Sequence, residues 1–567
     1  MTPHTQPSPS RGEGKGGGES PGYIFVKPGM SSKEMVQAVR SLKGVCFTSV
    51  GMRDAGQSDY KNRHRIYDLA TLAPFYNRMG LFSAECHGGA RWHVGVMNRR
   101  ESPFEEIEIL RQQMPNVLLQ TLIRETNMWG YRPYSKNVIE YVVSQVDIDV
   151  WRCFSFLNDV RNMRTVAEVI MKRGKLFQPA ISFTMADWAT NTYYLGVVKD
   201  VVDLCSGTDE IIFCVKDMAG VGSITRVSSL IDAIKQKYPE LVIHYHRHIT
   251  DGLAIPALLS AAKAGAKIFD VEEDSLARFY GHSPILGVHA YFEESGIPVN
   301  LDRTEAEAAV QKVREWINYY DWAESPFKGF DHTVIVHKMP GGAFPSSFEQ
   351  AEKGGFLHYM PAVLKVMSLY NKIIHYFDVT PGSQITWVTC SGIVNKYAKA
   401  KGEAGVRLLI KLLTKFIDEK QLNFESMDND EQEELLGLFR NAPGDFSNLI
   451  LGHYGKLPMG WPPDWVYMST FGDEWEKRIR ERIELSPLDS IEDDNLDKLR
   501  QELTNYLGRN PAEEEFILFL MHPKDALNMI EFREKYGESP LVLPTDVWRQ
   551  GLKKPGDKVD FELWGKP

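Results

Sequence analysis

From about residue 44 the sequence repeats one pattern: a short apolar, β-branched run, then an amphipathic helical stretch, recurring roughly every 25 to 35 residues. The runs are "VCFTSVGMRD", "LFSAECHGG", "VLLQTLIRE", "DVWRCFSF", "QPAISFT", "EIIFCVKD", "LVIHYHRH" and "KIFDVEED", eight in all. Strands buried on both faces read as near-continuous hydrophobic runs, and eight consecutive βα units are the content of a closed parallel barrel. The expected fold class is therefore α/β, a (β/α)8 TIM barrel. Nearly every run ends in polar or charged residues: Arg53 and Asp54, Glu85 and His87, Arg124, Lys216, His246 and His248, Glu273 and Asp274. Active sites of such barrels lie at the C-terminal ends of the strands, so these side chains are expected to share one pocket.

Beyond about residue 300 the rhythm changes to helical patterns such as "TEAEAAVQKVREWINYY", "GVRLLIKLLTKFIDEK" and "LDKLRQELTNYLG", broken by "MPGG", "TPGS" and "GWPPDW". The expected organisation is a disordered leader over 1–22, the barrel over 23–300, a mainly helical C-terminal domain over 301–535, and a short β-rich segment over 536–567. The leader, rich in Pro, Gly and Ser, has no apolar run to offset the entropy of ordering and no hydrophobic core of a secretory signal. A net charge of −10 gives no electrostatic footprint for nucleic acid. No stretch approaches the ~20 continuous apolar residues of a spanning helix, so no membrane insertion is expected. Six cysteines without C-x-x-C spacing point to reduced thiols and a cytoplasmic setting.

The seventh run carries three histidines at alternate positions, His244, His246 and His248, which a strand places on one face. Two readings follow: solvated or hydrogen-bonded imidazoles at a strand end, or a metal site completed by ligands elsewhere. Asp54, Lys216, His246 and His248 are all expected at the barrel mouth. An ammonium cannot ligate a cation, so Lys216 fits such a site only as a carbamate, an anionic oxygen ligand.

Together, "RDAGQS", "GGA", "LIRETNMWGY", "FLNDVRNM", "VKDMAG", "HRH", "MPGG" and "VTPGSQ" resemble the carboxyltransferase component of the biotin-dependent pyruvate carboxylase family. That family includes oxaloacetate decarboxylase alpha chains and the transcarboxylase core subunit, and the resemblance runs from about residue 44 to the end. It implies a divalent metal held by Asp54, carbamylated Lys216, His246 and His248, with His244 behind them. It implies that Arg53, Gln57 and Arg124 hold a 2-oxo acid or the carboxybiotin ring, and that Tyr131 lies near the substrate. Zinc or manganese is expected over magnesium, because two imidazoles favour the later metals. No A-M-K-M biotin-attachment tetrapeptide and no glycine-rich ATP module occur in the sequence. Biotin is accordingly expected on a separate carrier protein loaded by a separate biotin carboxylase, with the chain itself a homo-oligomer.

Four positions depart from the family. His93, Ser155 and Ile249 stand where it carries aspartate, and Tyr280 is the nearest residue to a threonine thought to shuttle a proton. Tyr280 and His93 are the expected substitutes for that proton transfer. The loop "DSLARFYGHSP" looks more like the form found in the transcarboxylase core. The expected activity is carboxyl transfer between carboxybiotin and pyruvate or a related 2-oxo acid. The alternatives are a decarboxylase or transcarboxylase working from oxaloacetate, a metal-dependent aldolase, and a barrel that has lost catalysis and serves assembly.

Overall fold

Each of the eight apolar runs forms a strand in the computed structural model, which describes residues 23–536 apart from 131, 327, 376–378, 380–381, 419–423, 425–426, 441 and 485–490. The strands are β1 (Val45–Ser49), β2 (Ser83–Gly88), β3 (Leu118–Arg124), β4 (Val150–Ser155), β5 (Leu176–Ser182), β6 (Ile212–Asp217), β7 (Val242–Arg247) and β8 (Ile268–Val271). All pair in parallel in sequence order, and β1 joins both β2 and β8 to close the barrel. A further strand unforeseen in the sequence, β9 (Val299–Asn300), lies parallel to β1 outside the ring; two residues are too few for periodicity to mark.

Period-two alternation sorts the barrel interior into layers. At the N-terminal end Cys46, Phe82, Leu118, Val150, Leu176, Ile212, Val242 and Ile268, one from each strand or its edge, pack with Met35, Val36 and Val39. Those last three lie on the helix Ser32–Ser41, which begins at a reciprocal cap between Ser31 and Glu34 and plugs the bottom of the barrel. One or two residues further along each strand the interior turns polar: Gln120, Arg152, Gln178, His244 and Asp270 are fully buried. The chemistry is thus confined to the C-terminal half of the barrel.

After β9 the chain is helical. The helix Arg303–Trp316 packs back on the barrel through the ion pair of Arg78 with Glu305 at 2.8 Å and the hydrogen bond from the Asp302 amide to the Met79 carbonyl. The helix Gly382–Asp418 is broken by non-helical backbone at Lys401 and Gly402. No helix among the described residues is long and apolar enough to cross a membrane. The leader 1–22, and all but the first residue of the expected β-rich segment 536–567, lie outside the described residues.

Candidate active site

The strand ends deliver side chains to one point by different routes. Asp54 opens the short helix Asp54–Asp59 just past β1, where its amide bonds the Val50 carbonyl at 2.8 Å. Lys216 and His246 are paired in register at the ends of β6 and β7, and His248 lies two residues beyond His246. The chain after β8 then doubles back. His282 bridges His248 in antiparallel fashion, the Ile249 amide donates to the Gly281 carbonyl at 3.0 Å, and the His282 amide donates to Glu272 Oε1 at 2.7 Å. The donor atoms of Asp54, His246, His248 and His282 all lie within 4.8 Å of one another, and all four residues are buried. Lys216 Nζ stands 2.7 Å from His246 Nε2. The four ligands expected from the sequence are brought together; His282 was not foreseen.

Burial sets the charge state of these groups. It drives the His246 imidazole well below the usual histidine range and His248 down to about 3, so both are neutral at physiological pH. Burial would raise the Asp54 carboxyl, but the Arg53 guanidinium, the hydrogen bond to His282 and the nearby His248 reverse this and hold it well below the usual carboxylate range. Burial lowers the Lys216 amine to about 8, against the attraction of Asp54. Neutral imidazoles beside an ionised carboxylate are the donor chemistry of a divalent transition-metal site, and these residues fit one.

Behind the donors lies a second tier of buried groups. Asp270 accepts from His246 Nδ1 at 2.5 Å, from His244 Nε2 at 2.6 Å and from both terminal nitrogens of Arg152 at 2.5 and 3.2 Å. Arg152 also donates to Gln178 at 2.5 Å. His244 therefore backs the site from the layer below. A carboxylate on the far nitrogen of a ligating histidine fixes its tautomer and raises its basicity.

The cavity beside this cluster is lined by Arg53, Asp54, Gln57, Gly89, Leu122, Arg124, Phe154, Lys216, Met218 and His248, and is roofed by Pro340, Gly342 and Ala343 of the "MPGG" segment. Arg53 is held in place by Glu85 Oε2 at 2.5 Å, Asp54 Oδ2 at 2.9 Å and Gln57 Oε1 at 3.1 Å. Arg124, at the end of β3, donates to the Gly130 carbonyl at 3.0 Å. Gly89 lets that guanidinium in, since a Cβ there would collide with Arg124 Nη2. The paired glycines of the roof have a similar cause. A Cβ on Gly341 would lie 2.7 Å from His248 Nδ1, and one on Gly342 would lie 3.1 Å from Gln57 Nε2.

The departing residues take other positions. His93 pairs with Asp525 at 2.9 Å and stacks on His522 with ring centres 4.5 Å apart, so it meets the C-terminal helices. Tyr280 stacks on Phe344 and gives its backbone carbonyl to His248 Nδ1 at 2.6 Å. Neither appears in the cavity lining. Ser155 Oγ accepts from the amides of Leu157 and Asp159, capping the turn after β4. Ile249 serves through its backbone amide, and Tyr131 lies outside the described residues.

Residues 334–566 match the family model described as "Conserved carboxylase domain". Over 543 residues the chain is 28% identical to pyruvate carboxylase 1 of Caenorhabditis elegans, covering 94% of this chain and 43% of that protein. It is 26% identical over 508 residues to the methylmalonyl-CoA carboxyltransferase 5S subunit of Propionibacterium freudenreichii, covering 89% of this chain and 90% of the relative. The carboxyl transferase domain of Rhizobium etli pyruvate carboxylase, solved with pyruvate and biocytin, superposes with a TM-score of 0.77 at 26% identity over 92% of this chain and 83% of that one. The chain spans less than half the length of the full pyruvate carboxylases it matches. It belongs to the pyruvate carboxylase carboxyltransferase-domain family. Within that family it is homologous to the carboxyltransferase of pyruvate carboxylase.

Proposed function

We propose that this chain moves a carboxyl group between carboxybiotin, carried on a separate protein, and pyruvate or a related 2-oxo acid. The observation that carries this reading is one cavity that puts Asp54, Lys216 and His248 of the donor cluster beside Arg53, Gln57 and Arg124, beneath the Pro340–Gly342 roof. A divalent ion bound by Asp54, His246 and His248 supplies the Lewis acidity that stabilises negative charge as the 2-oxo acid becomes an enolate. Arg124 takes the substrate carboxylate, because its planar fork can bind both oxygens. Arg53, anchored on Glu85 and Asp54, turns its remaining edge with Gln57 toward the same space and favours the developing negative charge. The apolar walls Leu122, Phe154 and Met218 exclude water from the carbanionic carbon.

Lys216 enters this reading as a carbamate: its neutral amine adds to carbon dioxide, forms the N–C bond and releases one proton, giving an anionic oxygen next to His246. Zinc or manganese suits the donors better than magnesium. The partners are a biotinylated carrier and a separate biotin carboxylase. Homology to a Methanocaldococcus jannaschii protein that is itself named as one subunit of a pyruvate carboxylase favours this division of labour. A cytoplasmic location goes with six buried cysteine thiols.

Arg124→Met is expected to raise the KM for the 2-oxo acid by about 10²-fold, the cost of a lost charge-assisted pair, with a smaller change in kcat. Steady-state kinetics across substrate concentrations read this out, and an unchanged KM would remove Arg124 from substrate binding. Lys216→Ala is expected to abolish transfer and to recover partly when a small carboxylic acid is supplied. Protein equilibrated with ¹³C-labelled carbon dioxide should show a carbamate carbon resonance that the variant lacks. The function itself is tested by mixing purified protein with carrier bearing a labelled carboxyl group and with pyruvate. Label should appear in oxaloacetate, and retention of all label on the carrier with every 2-oxo acid tried would refute the proposal.

A further inference from the structure

The sequence pattern assigns two imidazoles to the metal, yet the fold turns a third toward the same point. His282 is fully buried, its ring centre 4.5 Å from that of His246 and 4.2 Å from that of His248. Its position is not loose, because the backbone bridge to His248 and the Glu272 hydrogen bond to its own amide hold the loop at the ends of β7 and β8.

The far nitrogens decide what the near ones can do. His248 Nδ1 lies 2.6 Å from the Tyr280 carbonyl, and His282 Nδ1 lies 3.1 Å from the Arg247 carbonyl. A carbonyl oxygen can only accept, so in both rings the proton sits on Nδ1. His246 Nδ1 is likewise committed, to the Asp270 carboxylate at 2.5 Å. Each Nε2 is then left with its lone pair toward Asp54 Oδ2, at 3.1 Å from His282, 3.7 Å from His246 and 3.7 Å from His248. Three nitrogen acceptors gathered on one carboxylate oxygen repel one another unless positive charge stands among them. A cation bound by all four donors provides it.

We infer that His282 is itself a ligand of the metal ion through Nε2, so that the protein supplies three imidazoles and one carboxylate. This rests on the metal reading of the proposed function and makes it more specific. A third imidazole moves the preference further toward zinc or cobalt and away from manganese. It also lets the Asp54, His246, His248 and His282 set hold the ion without the Lys216 carbamate, which then serves the reaction more than retention of the metal.

The test strips the purified protein with a chelator, reloads it with Co²⁺, and counts exchangeable, hyperfine-shifted imidazole N–H protons by NMR. Three are expected in the wild type, one each from His246, His248 and His282, and two in His282→Gln. In parallel, competition against a chromophoric chelator should show His282→Ala binding Zn²⁺ at least about 10²-fold more weakly, beyond the loss typical of an outer-shell change, while Lys216→Ala changes affinity less. Two shifted protons in the wild type, or unchanged zinc affinity in a folded His282→Ala protein, would overturn the inference and leave the metal site standing. Failure of the wild type to bind Co²⁺ or Zn²⁺ would overturn the metal reading and this inference together. If the variants do not fold, the wild-type proton count decides alone.

Discussion

His246→Ala is expected to lose the metal and carboxyl transfer together, with metal affinity falling by more than about 10²-fold, the upper range for changes merely adjacent to a ligand. His246 is the donor with the fullest support: β7 aims it inward, Asp270 fixes its Nδ1 at 2.5 Å, and its Nε2 stands between Lys216 Nζ at 2.7 Å and Asp54 Oδ2 at 3.7 Å. The alanine variant should still fold, since Asp270 keeps Arg152 and His244 as partners. Metal per chain after dialysis and the rate of label transfer check the expectation. A variant that retains metal at the wild-type level would show that the ion is held elsewhere.

The second large effect is on stability. Asp270→Ala removes a carboxylate hydrogen-bonded to Arg152 and to both His244 and His246, in a layer where every one of these side chains has no exposed surface. Removing one partner of a buried ion pair strands the other charge, at a cost of about 3 to 5 kcal/mol. Glu85 Oε1, 3.8 Å from Arg152, offsets this only in part. The drop should appear as a lower urea midpoint with an unchanged slope. A metal affinity reduced by about 10- to 100-fold should accompany it, because His246 loses the group that orients it. An Asp270→Ala protein as stable as the parent would mean that the polar layer contributes no net stability to the fold.

The barrel was legible because its strands are covered on both faces and so stand out as hydrophobic runs, and because their polar ends mark the catalytic rim. The polar layer within the barrel was not read from the same runs. Gln120, Arg152, Gln178, His244 and Asp270 each interrupt an apolar run at an inward-facing position, a signal that becomes visible only once strand register is aligned. His282 escaped for a different reason. It sits in a loop with no periodicity, and only the pairing of that loop with the end of β7 turns its ring toward Asp54.

His93 shows the opposite limit, since its place just after β2 suggested a pocket wall. Its orientation is decided by Asp525, more than four hundred residues away in sequence. The "MPGG" segment was visible only as a break between helices. Its glycines answer to His248 and Gln57, against which the backbone packs too closely for a Cβ.

The measurement that bears most directly on the whole account is the metal content of freshly purified protein that is competent in label transfer. About one tightly held divalent ion per chain is expected, removable by a strong chelator with loss of transfer and restored with it on addition of Zn²⁺ or Mn²⁺. Active protein free of bound metal would contradict the account.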